Sequence, residues 1–318
     1  MLRILKRGAS EPEQVQVTPG WALPEDAVWV DLLKPTREEE LAVESAIGVQ
    51  IPTREEMAEI ETSSRLYQER GATFMTAAVL THATTDFPLL APVTFVLAGD
   101  RLVTVRYDEP SAFAAFISQF ERQPCGFVGG EAFLELLDAI VDRVADILEA
   151  VAAEVEEASH DIFRQPRKGG FGPVLAQLGH AQMVTGKARA SLASLARLIS
   201  FASLARQLES VRGLREHLRS LQRDTQSLTD HTAYLSSNIT FLLDAAMGMI
   251  NIEQNAIIKI FSVAAVAFLP PTLIASIYGM NFEFMPELDW PFGYPFALLL
   301  MVLSAVIPLA WFRRKGWL

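Results

Sequence analysis

The chain has 318 residues, half of them apolar, with 38 acidic against 27 basic side chains and a formal charge of −11. That balance offers no basic field to a phosphate backbone, which argues against nucleic-acid binding; an acidic surface either concentrates cations or simply keeps a protein soluble. Cys125 is the only cysteine, so no disulfide forms within the chain.

Taken in chain order, residues 1–128 alternate short apolar stretches with Pro and Gly and read as an α/β domain. Met1–Arg7 holds no apolar run long enough for a signal peptide, so this part is expected to stay on the side where it is made. Val28–Leu33 reads as a strand. Thr36 followed by Glu39, and Thr53 followed by Glu56, have the spacing of helix N-terminal caps. Phe74–Thr81, Val93–Leu97 and Leu102–Tyr107 read as further strands, the last two joined by a turn at Gly99-Asp100.

From Glu131 the apolar period becomes helical: Phe133, Leu136, Leu137, Ile140, Val144, Ile147, Leu148, Val151 and Val155 recur at three and four. The other face is acidic, which a solvated surface explains. Pro166 and Gly169–Pro173 break this helix, and a second, about Val174 to Ser200, completes an antiparallel hairpin over 129–203. A segment from about Leu204 to Tyr278 then has no proline before Pro270. At ~1.5 Å per residue it reaches on the order of 100 Å, as a stalk (204–256) running into a bilayer would.

Ile260–Tyr278 carries no ionisable side chain but its final tyrosine, and with Ile257 and Ile258 it is long enough to cross a ~30 Å hydrocarbon layer. The first span is therefore placed at 257–278, a loop at 279–293 and a second span at 294–312. Arg313, Arg314 and Lys315 follow the second span in the tail, 313–318, while the loop has Glu283, Glu287 and Asp289 but no Lys or Arg. By the positive-inside rule both termini are cytoplasmic. Pro270 and Pro271 interrupt the first span and free carbonyls upstream, giving a kink or facing a water-filled lumen.

The loop opens with Tyr278-Gly279-Met280-Asn281 and continues through Met285-Pro286-Glu287-Leu288. These motifs, with Asn251-Ile252-Glu253-Gln254-Asn255, Pro270-Pro271-Thr272, the basic tail, Trp29–Leu32 and Ser63–Tyr67, resemble the CorA magnesium/cobalt transporter family over nearly the whole chain. The resemblance implies an α+β membrane protein in which a cytoplasmic α/β domain, a long stalk helix and two spans build a funnel-shaped homopentamer. It implies Mg²⁺ as transported and regulatory ion, with Co²⁺ and Ni²⁺ as further cargo, a bacterial inner membrane and no enzymatic activity. It places ion selection at Gly279, Met280 and Asn281, and polar pore positions at Asn255 and Thr272. A hydrophobic constriction falls near Ile258, Phe261 and Leu269.

Heptad spacing agrees: Asn255, Ser262, Leu269 and Ser276 lie seven apart, as do Ile258, Ala265, Thr272 and Gly279, and both series share one helix side. Helix packing alone explains part of that pattern. Glu283, Glu287 and Asp289 form an outer acidic collar or are solvated loop charges. The family's regulatory Mg²⁺ lies between subunits; Asp224 is the candidate ligand, although an ungapped count places Ser220 there. His82, His160, His180, His217 and His231 show no metal-ligand spacing and are expected at the surface. Two other readings stay open: a Zn²⁺ transporter of the related branch, against which Met280 argues, and a membrane-anchored scaffold that conducts nothing.

Overall fold

The computed structural model describes residues 1–59, 61–122, 128–164, 170–208, 213–281, 285–286 and 289–316. It divides into two compact units, Met1–Leu243 and Asp244–Leu318. Cys125, Pro166, Gly169, Glu283 and Glu287 lie outside the described residues.

The first unit is built on a seven-stranded sheet. Its strands are β1 (Leu2–Lys6), β2 (Glu13–Val15), β3 (Ala27–Leu33), β4 (Leu66–Glu69), β5 (Ala72–Thr81), β6 (Leu89–Ala98) and β7 (Arg101–Arg106), in the order β2-β1-β3-β7-β6-β5-β4. Only β3 and β7 run parallel. β6 and β7 meet at Ala98 and Arg101, so Gly99-Asp100 is the expected two-residue turn, with Gly99 at φ +60°.

β3 is buried along its whole length because both faces are covered. On one face Val30 and Leu32 pack with Val43 of α1 (Arg37–Ile47) and Met57 of α2 (Arg54–Ala58). Both helices start as the sequence predicts: Thr36 and Thr53 accept from the backbone N–H of Glu39 and Glu56, whose carboxylates accept in return from the cap N–H groups. The short α3 (Thr62–Arg65) leads into β4. On the other face Trp29 and Phe95 pack against α4 (Ser111–Arg122), α5 (Gly129–Phe163) and α6 (Gly172–Ala202). The Trp29 and Phe116 rings meet edge to face at 5.0 Å. Gly129, where α5 starts, lies so close to β7 that a Cβ would fall 2.4 Å from the Arg101 carbonyl carbon.

A closed polar network crosses this core. Arg106 donates Nε to Asp31 Oδ1 at 3.0 Å and Nη2 to Oδ2 at 2.7 Å, Thr104 donates to Asp31 Oδ1 at 2.8 Å, and Trp29 Nε1 donates to Thr104 at 2.9 Å. The guanidinium also lies 4.2 Å above the Phe113 ring. Arg106 Nη1 donates to the Asp108 carbonyl at 3.1 Å, so every nitrogen of the buried guanidinium has a partner.

The helix expected from Leu204 begins instead at Leu214: α7 runs Leu214–Tyr278, 65 residues. Residues 203–208 make turns and a short 3₁₀ helix, Arg206–Leu208, and Gly213 is left-handed at φ +74°. Composition predicts no break here, because the segment holds no proline; Gly213, left-handed one residue ahead of α7, is the local signal for where the helix starts. Within the first unit α7 buries Leu218, Leu221, Thr225, Thr232, Leu235, Ile239 and Leu242, spaced three, four or seven apart and so on one face. In the second unit α7 continues to Tyr278, and α8 spans Gly293–Arg314.

Candidate functional site

Two helical stretches are long and apolar enough to cross a membrane, and within them only 6% and 11% of residues are buried. A core helix of a soluble protein would be mostly buried, and within this chain these two are not. Ile258, Phe261 and Leu269 are 60%, 71% and 66% exposed. Such apolar surface needs lipid or further copies of the chain to cover it.

Asn255, Ala265, Thr272, Ser276 and Gly279 are also exposed and Ser262 is half-buried, so the two heptad series form one open stripe. Thr272 Oγ1 donates to the Phe268 carbonyl at 2.7 Å. Its proton is therefore committed to the backbone, and the oxygen offers only lone pairs outward, which suits a water ligand that must donate. Pro270 and Pro271 fall off this stripe. Lacking N–H groups, they leave the carbonyls of Val266 and Ala267 without their helical donors.

α7 closes at the signature motif. Gly279 N donates to the Ala275 carbonyl at 2.9 Å and Met280 N to the Ile277 carbonyl at 3.3 Å. A Cβ at position 279 would lie 3.1 Å from the Ala275 oxygen, tighter than ordinary contact, so glycine keeps this final turn closed. Asn281 follows, exposed and outside regular secondary structure, and its carboxamide makes no hydrogen bond to another described residue. Of the acidic collar, Asp289 is described and exposed, beside Trp290, whose ring packs 5.8 Å from that of Phe296 at the start of α8. At the other end of α8, Lys315 Nζ sits 4.9 Å above the Trp311 ring, the amphipathic pairing expected where a span leaves a bilayer.

Asp224 stands apart from this stripe, in the first unit. It is exposed on α7 and accepts from Ser220 Oγ at 3.4 Å. Burial pushes the Asp142 carboxyl on α5 above its ordinary range, and the charges of Asp146 and Asp224 raise it further. A turn away, burial likewise raises Asp138, opposed by a 2.5 Å hydrogen bond from His217 Nε2 of α7. This corrects the expectation for His217: it is a half-buried partner of Asp138, not a free surface histidine, and no local spacing pairs residues 79 apart in sequence. Among the described residues no group of three or more His, Cys, Asp or Glu is arranged to hold a metal ion. Asp224 and Asp142 thus supply two carboxylates, short of a complete ligand set within one chain.

Comparison with known proteins adds three findings. The family profile described as "CorA-like Mg2+ transporter protein" matches residues 24–314. The magnesium transport proteins CorA of Salmonella typhimurium and of Escherichia coli are each 38% identical over 296 residues, covering 92% of this chain and 92% of theirs. The complete structure of the CorA magnesium transporter from Methanocaldococcus jannaschii superposes with a TM-score of 0.78 at 21% identity, covering 100% of this chain and 99% of that one.

Proposed function

The chain belongs to the CorA-like Mg²⁺ transporter family, and from that premise we propose that it is one subunit of a membrane channel that passes Mg²⁺ with much of its water shell in place. The observation that carries this is the exposed series of neutral oxygen donors along the first span and at its two ends: Asn255 just before it, Thr272 within it and Asn281 just after it. Mg²⁺ is small and dehydrates reluctantly. A ring of amide, hydroxyl and carbonyl acceptors can bind its waters from outside, whereas bare carboxylates would compete for the metal itself. One chain presents each acceptor once, so a ring requires several copies about an axis; the homopentamer that the family resemblance implies provides five.

Gly279, Met280 and Asn281 form the selecting mouth, and Ile258, Phe261 and Leu269 form a constriction that blocks ions when it dewets. Glu283, Glu287 and Asp289 gather cations at the entrance. Arg313, Arg314 and Lys315 hold both termini in the cytoplasm of a bacterial inner membrane. An interior-negative potential of ~100 mV then favours entry of a divalent ion by roughly 4.6 kcal/mol. That is about three decades of concentration ratio, so inward flux needs no nucleotide hydrolysis. Co²⁺ and Ni²⁺ are the further cargo. Intracellular Mg²⁺ closes the channel by bridging Asp224 to carboxylates it would otherwise repel, a population shift toward the bridged state.

The test is flux of Mg²⁺ and of Zn²⁺ into vesicles holding purified protein and an ion-sensitive dye. Mg²⁺ uptake is expected to exceed Zn²⁺ uptake, and Asn281→Ala to lose Mg²⁺ uptake at least about tenfold, the loss of ~1.4 kcal/mol of ion stabilisation, with the oligomer intact. A fully active Asn281→Ala protein would reject the site; preferred Zn²⁺ uptake would reject the ion.

A further inference from the structure

A cavity of about 880 Å³ lies where the end of α6 faces the start of α7, within the first unit. Ser200 lines it from α6, Ser203 from the turn that follows, and Arg215, Arg219 and Gln222 from α7. A second hollow of about 670 Å³ shares Glu216, Arg219 and Gln222 and adds Arg223 and Gln226. Arg215, Arg219 and Arg223 stand four apart and therefore rise along one face of the helix.

None of these three arginines forms a salt bridge with another described residue. In a chain with 38 acidic side chains that is unexpected. Among the described residues of α7 the carboxylates beside the strip are Glu216, which lines both hollows, and Asp224, next to Arg223. Arg197 adds positive charge one turn before Ser200 on α6. Together with burial, its charge holds the Arg65 guanidinium below its ordinary range. This corner is thus locally basic on an acidic protein, and it is concave.

We propose that this groove binds a small molecule bearing clustered phosphates: a nucleotide through its phosphate tail, or inorganic polyphosphate. Arginine forks match phosphate oxygens two at a time, and the Ser200 hydroxyl and the glutamine amides supply neutral donors around them, while the Ser203 hydroxyl proton is taken by the Ser200 carbonyl at 2.7 Å. The volume falls within the range of small-ligand sites. A row of arginines about 6 Å apart along the helix suits several linked anionic groups better than one. The site belongs to the soluble unit, so binding stands or falls independently of whether the chain conducts Mg²⁺.

The test is calorimetric titration of the full-length protein in detergent, without Mg²⁺, using ATP, ADP, tripolyphosphate and orthophosphate as separate probes. Saturable binding of ATP or tripolyphosphate, at least about tenfold tighter than orthophosphate, is expected. Equal affinity for ATP and tripolyphosphate would identify the phosphate chain alone as the ligand, while tighter ATP would identify the nucleotide. Arg219→Ala and Gln222→Glu are each expected to weaken binding at least tenfold with unchanged circular dichroism. Arg219→Lys is expected to weaken it less than Arg219→Ala. Absence of saturable binding at millimolar probe, or binding that Arg219→Ala and Gln222→Glu leave unchanged, would overturn the site. So would variants that split the oligomer although no probe binds, since carboxylates of a second copy would then be what the arginines meet.

Discussion

The two ends of α7 carry similar residues under opposite conditions. In the first unit Leu235, Ile239 and Leu242 are at most 2% exposed, packed into the molecule at spacings of three and four. In the second, Phe268, Leu269 and Leu273 on the same helix are at least 62% exposed. Apolar side chains stabilise the first unit by leaving water for a close-packed interior. In the second unit they face whatever surrounds the helix, and for a membrane protein that surrounding is itself apolar. Equal hydrophobicity therefore has unequal consequences, and substitutions can separate them.

The largest effect is expected at the buried ion pair. Asp31→Ala strands Arg106 without its partner and should cost the first unit about 3–5 kcal/mol, measured by chemical denaturation of the purified protein. A loss under about 1 kcal/mol would mean that water reaches the site. Next, Leu235→Ala should cost about 2–5 kcal/mol, whereas Leu273→Ala in lipid should leave the melting temperature nearly unchanged. Equal losses would erase the contrast between the two ends of α7. Thr272→Val keeps the shape but removes an outward oxygen; Mg²⁺ flux should fall several-fold with the fold unaffected, while unchanged flux would take Thr272 off the ion path.

The smallest effect concerns Asp142. Its folded-state pKa is raised by burial, then by Asp146 and Asp224. The folded chain therefore holds that proton more tightly than the unfolded chain. The associated stability is present below the ordinary carboxylate pKa and is lost as pH rises through the raised value. At neutral pH the ionised carboxylate is a cost, and Asp142→Asn should raise the melting temperature of the first unit by no more than about 2 °C, because the group is largely solvated. No rise, or the same rise at a pH of about 3, below the ordinary carboxylate range, would show that Asp142 is not under this strain.

Much of the fold is legible in the amino-acid sequence alone. The strands β3, β5, β6 and β7 announce themselves through β-branched and aromatic runs, and the caps at Thr36 and Thr53 through carboxylates three residues on. β2 is three residues, two of them polar and exposed, held by its pairing with β1, the Lys6–Glu13 ion pair and the packing of Val15 on the core. A single sequence contains no such pairing signal. α4 is also legible, since Phe113, Phe116 and Phe120 recur at helical spacing behind Pro110, a residue suited to a helix start, but reading residues 1–128 as alternating short apolar stretches passes over it. The open stripe from Asn255 to Gly279 follows from counting by sevens. The meeting of His217 with Asp138 does not, since it depends on how two distant helices fold together.

Proline at both 270 and 271 has a mechanical consequence. The two carbonyls left without donors, on Val266 and Ala267, sit about 100° apart around the helix axis. One missing rung would weaken a helix along one side and let it swing like a door. Two successive missing rungs loosen it along two directions, so the segment behaves as a universal joint. The portion beyond it can tilt sideways as well as toward the axis, and a tilt of that kind can turn Thr272 and Asn281 together without unwinding the turns on either side.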